Sequence, residues 1–531
     1  MSVPAGTGKL VRLILRRDRW LLPLWLLLAL FPVSAVNSLG DLYPTAAERQ
    51  DFAAEMEGNS ALMVLYGRLY GSDLGELAVW RAGFMPVFFG LLALLFVIRH
   101  TRTEEESGRR ELVGAASVDR RAPLAAALAV AFLVALVAMV LVGTTVQGQG
   151  LPAAGSWAFG AQYLVVGAVF AAVGGVAAQL TTSALTARGI AVAVLGVFFA
   201  LRGVGDSSGQ RGGAASWVSW TSPFGWANQL RPFDGDRWWV LAVPLAAVVV
   251  LVAAAHVLSA RRDLGAGLLP DRLGPPEAAP SLRSPLALAW RIQRGAQISW
   301  LAGFAVAGLV YGGLAKTVAE GLEDNPNKKL EDALARLGGQ GGLIDTWLAS
   351  MLNFMAIAAA AYAIQAVLRL RAEETSLRAE SLLATGVARL RWAAGHLVFA
   401  VAGPVVVLLV AGLGAGLASG DPGRQIPRLL GASAAQLPAV WVLVAVGLLV
   451  FGRLPRLSPI AWGALGVCVM LGQVGALLEL SQWVLDVSPF THTPKLPGGD
   501  PSVTPLVSLT AVALAVGAAG LAALRRRDLP A

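Results

Sequence analysis

Glu104, Glu105, Ser107, Arg109 and Glu111 recur 269 residues later as Glu373, Glu374, Ser376, Arg378 and Glu380. Carrying the same shift from Arg102 to Arg120 also matches Arg102, Ala115, Val118 and Arg120 to Arg371, Ala384, Val387 and Arg389, without a gap. Most of the matched positions are Glu or Arg, in a chain only 14% charged. Carboxylates and guanidinium groups at this density make ion pairs and charge-assisted hydrogen bonds. A charged segment written twice with one spacing points to recognition, a docking surface for a partner, in preference to loop ends that only fix topology.

Each copy reads as a short helix followed by a turn. Thr101 with Glu104 has capping-box spacing, and the acidic cluster is placed to open the helix where the dipole favours negative charge. Glu105 with Arg109, Glu106 with Arg110, and Glu374 with Arg378 are spaced as i,i+4 pairs. Ser117 in one copy and Thr385-Gly386 in the other mark the break that follows.

The elements that must position these segments are membrane spans. The chain has 531 residues, 56% of them hydrophobic, with charge confined between apolar runs of about 20 residues, the length that crosses hydrocarbon. This excludes a soluble domain of ordinary composition and predicts an all-α polytopic membrane protein. About twelve transmembrane helices are expected, as two parallel six-helix repeats: residues 1–263, a Pro- and Gly-rich cytoplasmic linker at 264–284, and residues 285–531. The basic start (Lys9, Arg12, Arg16, Arg17, Arg19) predicts an interfacial amphipathic helix. The first apolar run lacks a small-residue cleavage site and reads as a span. In each half a polar excursion, at 41–76 and 319–343, separates spans one and two, and the Glu/Arg segment separates spans two and three. Ser222-Pro223-Phe224 and Ser488-Pro489-Phe490 fall at matching places, as do Arg261-Arg262-Asp263 and Arg526-Arg527-Asp528.

On this plan the inner segments hold 28 of the 42 Lys and Arg but 13 of the 33 Asp and Glu, the asymmetry of a protein with its basic loops inside. It accounts for the formal charge of +9 without nucleic acid. It also places both termini on the cytoplasmic side of the membrane, with the two halves in the same orientation.

The sequence contains no Walker A loop and no His-Glu-x-x-His. The chain is therefore not expected to be an enzyme, to hydrolyse ATP or to bind a cofactor. Cys468 is the single cysteine, and the four histidines are scattered, so no metal site is expected. Arg81, Arg202, Lys316, Asp345 and Glu479 fall near predicted span ends, where snorkelling lowers their cost. The Trp at the outer side, Trp217, Trp220, Trp226, Trp238 and Trp239, read as interface anchors, and Gly308-x-x-x-Gly312 and Gly412-x-x-x-Gly416 as close-packing sites.

The paired Glu-Glu-x-Ser-x-Arg-x-Glu segments, the Ser-Pro-Phe motifs and the Arg-Arg-Asp endings resemble those of ABC-2 type permeases, in particular the duplicated permeases of drug and polyketide-antibiotic exporters. The resemblance covers the whole chain. It implies a permease subunit that exports hydrophobic or amphipathic compounds, driven by two copies of a separately encoded ABC ATPase that carry the ATP and Mg. It further implies that the ATPase docks on Glu104, Glu105, Arg109 and Glu111 in one half and on Glu373, Glu374, Arg378 and Glu380 in the other. Leu377 stands where the first copy has Gly108, a departure that sets the two docking sites apart. Two other functions remain open: an ion-coupled secondary drug transporter, and a membrane sensor or immunity protein that binds a compound without moving it. The substrate and its contacts are not legible.

Overall fold

The computed structural model describes residues 4–57, 63, 65–114, 117–210, 215–269, 276–324, 343–474, 481–499 and 501–527. Its elements among the described residues are all helices. The chain divides into two compact units, Met1–Gly274 and Pro275–Ala531. Eleven described helices are long and apolar enough to cross a membrane, and a shorter apolar helix, Ile460–Gly472, stands where the eleventh predicted span was placed. That span was expected over about 459–478; its residues 475–478 lie outside the described residues, as does Glu479. The chain is thus an all-α, multi-pass membrane protein.

In the first unit the spanning helices are Leu21–Leu42, Met85–Glu106, Ala122–Gly148, Ala153–Leu180, Ala184–Ser208 and Trp238–Arg261. Ala153–Leu180 is central, packing against the helices on either side of it in sequence and against the second and sixth spans. Small residues make that possible. A Cβ at Gly160 would lie 2.3 Å from the Met139 carbonyl oxygen, and one at Gly174 would lie 2.7 Å from that of Leu94. The first span is not one regular α-helix, since Leu27–Leu30 tightens to a 3-10 turn. The polar excursion after it ends in the helix Leu74–Arg81, whose N-terminus is closed by a capping box between Asp73 and Glu76. The basic segment forms the helix Thr7–Arg17, with Ile14 buried in the core and Leu13 exposed. The predicted amphipathic character is therefore present, but one apolar edge packs on Ala122–Gly148.

In the second unit the long apolar helices are Pro285–Gly313, Trp347–Thr375, Arg389–Ala418, Pro422–Arg453 and Val503–Arg526; the shorter Ile460–Gly472 takes the fifth place, so Val503–Arg526 is counted as the sixth span. The packing order of the first unit returns: first span on third, second on fourth, fourth on sixth. Gly308 and Gly312 seat the first span on the third, since a Cβ at either would come within 2.3 Å of the Ala411 or Ala415 carbonyl oxygen. Gly412 and Gly416 do the same against Leu429, Ser433 and Ile426. The expected close-packing role of both pairs is borne out. The charged residues of the predicted 319–343 excursion from Lys328 to Asp332 lie outside the described residues, and nothing is assigned to the side chains of Lys316, Glu320, Glu323 and Asp324.

Both Ser-Pro-Phe motifs turn the chain before the sixth span and bury their phenylalanine, Phe224 and Phe490. Ser222 caps the helix Pro223–Gln229 by accepting from the Phe224 N–H at 3.2 Å, and its hydroxyl donates to the Phe198 carbonyl at 2.7 Å. Among the neighbouring Trp, Trp217 and Trp239 are exposed as anchors would be. Trp226 instead packs into the motif, its indole N–H donating to the Trp220 carbonyl at 2.5 Å.

Candidate functional site

The two repeated segments form elbows that join the second span to the third in each unit. Their local geometry differs from the expectation in one consistent way. The acidic residues do not open a helix; they end one. In the first unit the second span continues through a π turn, Arg99–Thr103, into Glu104–Glu106. Thr101 then lies inside the helix, its hydroxyl donating to the Val97 carbonyl at 2.6 Å, so the capping box does not form. The chain reverses at Ser107-Gly108, with Gly108 at φ 72°, and a new helix, Arg109–Gly114, begins. The second elbow turns at Leu377, φ 59°, before the helix Arg378–Leu383. The turn hydrogen bonds keep the same register in both: Ser107 N–H to Thr103 and Gly108 N–H to Glu105 in one, Ser376 to Ala372 and Leu377 to Glu374 in the other.

This break moves the ion pairs by one residue. The predicted i,i+4 pairs are replaced by i,i+5 pairs across the turn: Glu104 with Arg109 at 3.3 Å, Glu105 with Arg110 at 2.9 Å, and Glu373 with Arg378 at 3.0 Å. A left-handed residue between acid and base adds a step that helical spacing does not count. Arg110 sits beside the Arg120 carbonyl as well, 2.9 Å away. Burial holds its guanidinium below the usual arginine range, against the opposing pull of Glu105.

The eight residues singled out by the sequence separate into two sets. Arg109, Glu111, Arg378 and Glu380 are exposed, and Glu104 is half-buried, reached by Arg17 of the basic helix at 2.6 Å. Glu105, Glu373 and Glu374 point inward, with side chains 3%, 6% and 4% exposed. Glu373 is held by Arg369 at 3.1 Å and Arg378 at 3.0 Å.

Glu105 receives both terminal nitrogens of Arg262, Nη1 on Oε1 at 2.6 Å and Nη2 on Oε2 at 2.7 Å. The Gly265 N–H adds a bond at 2.7 Å, and Arg102 lies at 3.6 Å. A carboxylate so enclosed is bidentate and geometrically fixed. Arg262 also donates from Nε to Gln179 at 2.8 Å, which ties the end of the fourth span into the same cluster. Glu374 takes Arg527 Nη2 at 2.5 Å, and the Arg527 guanidinium lies over the Phe451 ring, 4.8 Å from its centre, at the end of the fourth span of that unit. The Arg-Arg-Asp endings thus supply the partners that helical spacing had not given to Glu105 and Glu374. Their sequence signal was their repetition at the ends of both sixth spans, but the separations of 157 and 153 residues gave no pairing.

Asp18 was also missed. It is buried, accepts from Arg99 at 3.0 Å and lies 2.6 Å from His100 Nε2, which binds the start of the first span to the π turn. No group of acidic, His or Cys side chains able to hold a metal occurs among the described residues. His100 and His396 are packing residues, the second 3.1 Å from Gln293. Arg202 does not snorkel. It is buried 3.9 Å from Asp206, which accepts from Ser219 at 2.8 Å.

Residues 11–258 and 282–525 match the family model described as "Multidrug efflux system permease Rv1217c, C-terminal domain". A protein of Mycobacterium tuberculosis (strain ATCC 25618 / H37Rv), described as "Multidrug efflux system permease protein Rv1217c", is 42% identical over 530 residues, covering 99% of this chain and 95% of that protein.

Proposed function

The chain belongs to the family of the multidrug efflux system permease Rv1217c, and from that premise we propose that it is the membrane permease of an ABC-2 type exporter. In this reading it moves hydrophobic or amphipathic compounds, drugs or antibiotics among them, out across the bacterial cell membrane, with both termini on the cytoplasmic side. Its two six-span halves supply the pathway. Two copies of a separately encoded ABC ATPase, carrying ATP and Mg, dock on the elbows and supply the work. The chain itself performs no bond chemistry.

The observation that carries the reading is the repeated elbow: a charged helix-turn-helix between spans two and three of each unit, built on the same turn hydrogen bonds and the same i,i+5 ion pairs. Within the elbows, the exposed Arg109, Glu111, Arg378 and Glu380 are the residues that meet the partner. The buried Glu105 and Glu374 shape the surface from beneath. Ion coupling has less support, because the buried Asp206 is already engaged by Arg202 and Ser219 and behaves as a structural staple.

The test is co-purification of the full chain with the ATPase encoded nearest to it. Reversing the exposed acids of both elbows together (Glu111→Arg, Glu380→Arg) is expected to release the ATPase while leaving the permease folded. Retention of the ATPase at the parent level would reject the docking assignment.

A further inference from the structure

In each unit one arginine at the end of the sixth span holds the elbow from both sides. The Arg262 side chain takes Glu105, at the entry to the elbow, and the Arg262 main-chain carbonyl accepts from the Arg120 guanidinium, at its exit. The Arg527 side chain takes Glu374, and its carbonyl accepts from Arg389. Glu105 and Glu374, and Arg120 and Arg389, correspond in the repeat. The arginines that meet them come from segments whose length differs by four residues, 157 against 153 from the acid. The same two-sided contact is therefore made from two different loop lengths, which a chance surface pairing would not reproduce.

The elbow helices, Arg109–Gly114 and Arg378–Leu383, are six residues each, too short to hold a fixed angle by themselves. Each is hinged at a left-handed residue, Gly108 or Leu377. A push delivered to such an element is lost in bending unless something stiff ties it to a span. Buried pairing to a carboxylate, bidentate for Arg262 and through one nitrogen for Arg527, supplies stiffness and direction, and removing one partner leaves an uncompensated buried charge.

We propose that Arg262 and Arg527 are positioning residues that make each elbow and the sixth span of its own unit move as one body, so that work received at the elbow reaches the span that follows the Ser-Pro-Phe turn. The proposal rests on the reading of the elbows as the receivers of work. It goes beyond that reading in assigning transmission to residues that do not themselves meet the partner.

The second unit gives the cleaner test, because fewer other cations surround Glu374 than Glu105. Arg527→Gln and the exchanged pair Glu374→Arg/Arg527→Glu are compared with the parent chain. Each is scored for monodispersity, for co-purified ATPase, and for extrusion of ethidium from cells. Arg527→Gln is expected to lower extrusion about tenfold, the scale of a coupling residue, with the ATPase still bound, and the exchanged pair to recover most of the loss. Unchanged extrusion by Arg527→Gln would overturn the proposal, as would loss of the ATPase in step with extrusion, which would make the arginine part of the docking surface. If Arg527→Gln does not fold, the exchanged pair decides. A folded pair with parent-like extrusion supports transmission; a folded pair without extrusion, or a pair that folds no better than the single variant, overturns it. Because extrusion is scored whatever drives it, a parent chain that binds no ATPase would sink the exporter reading and leave this result readable.

Discussion

At the scale of single residues, the inward-facing acids are the most consequential side chains of the two elbows. Glu105 is in contact with Arg262, Arg110 and Arg102. Truncating it strands buried cations, and such a loss costs about 3 kcal/mol or more. Glu105→Ala is therefore expected to lower the thermal unfolding midpoint of the detergent-purified chain by several degrees, whereas Glu111→Ala, at an exposed position, leaves it in place. Equal midpoints would show that the cluster is not holding the elbow. Leu377 makes the opposite prediction. It occupies a left-handed conformation that costs a side chain about 1–2 kcal/mol, and the residue is 59% exposed. Leu377→Gly removes the strain with little packing to lose, and is expected to raise the unfolding midpoint. A lower midpoint would mean that Leu377 is held by contacts stronger than the strain.

At the scale of elements, the sequence placed a span overlapping each of the eleven long apolar helices, because runs of apolar side chains are a property of the chain alone, but it left their ends open: the first span of the second unit begins at Pro285, well before its apolar run. The repeated elbow was legible for the same reason: identity at a fixed shift needs no coordinates. What was not legible depended on a single backbone angle. With Gly108 in the right-handed region Glu105 would face Arg109, and with Leu377 there Glu374 would face Arg378. At φ 72° and 59° the pairing shifts by one, and Glu105 and Glu374 are turned toward the end of the sixth span. Glycine announced that possibility in the first copy, and leucine concealed it in the second. The close approach of spans was partly legible. Gly308-x-x-x-Gly312 marked a contact face, but only the structure gave its partner, the backbone at Ala411 and Ala415. Gly308→Leu forces these helices apart and is expected to cost about 1–3 kcal/mol or more. A variant with parent-like stability would remove this contact from the account of how the second unit packs.

At the scale of the whole molecule, composition and the distribution of charge fixed the class of protein. Homology to an efflux permease across nearly all of its length places it in a family. The step from there to mechanism is the claim that work enters at two charged elbows from an engine the chain lacks. Exposed ion pairs are screened by salt, so the complex with the ATPase is expected to weaken as ionic strength rises, while the buried clasps of Arg262 and Arg527 do not. The most direct test is ethidium uptake into inside-out vesicles that contain the chain together with its ATPase. The account predicts uptake that requires ATP, persists when the proton gradient is collapsed, and disappears when the exposed charges of both elbows are reversed. Uptake driven by a proton gradient in the absence of ATP would contradict it.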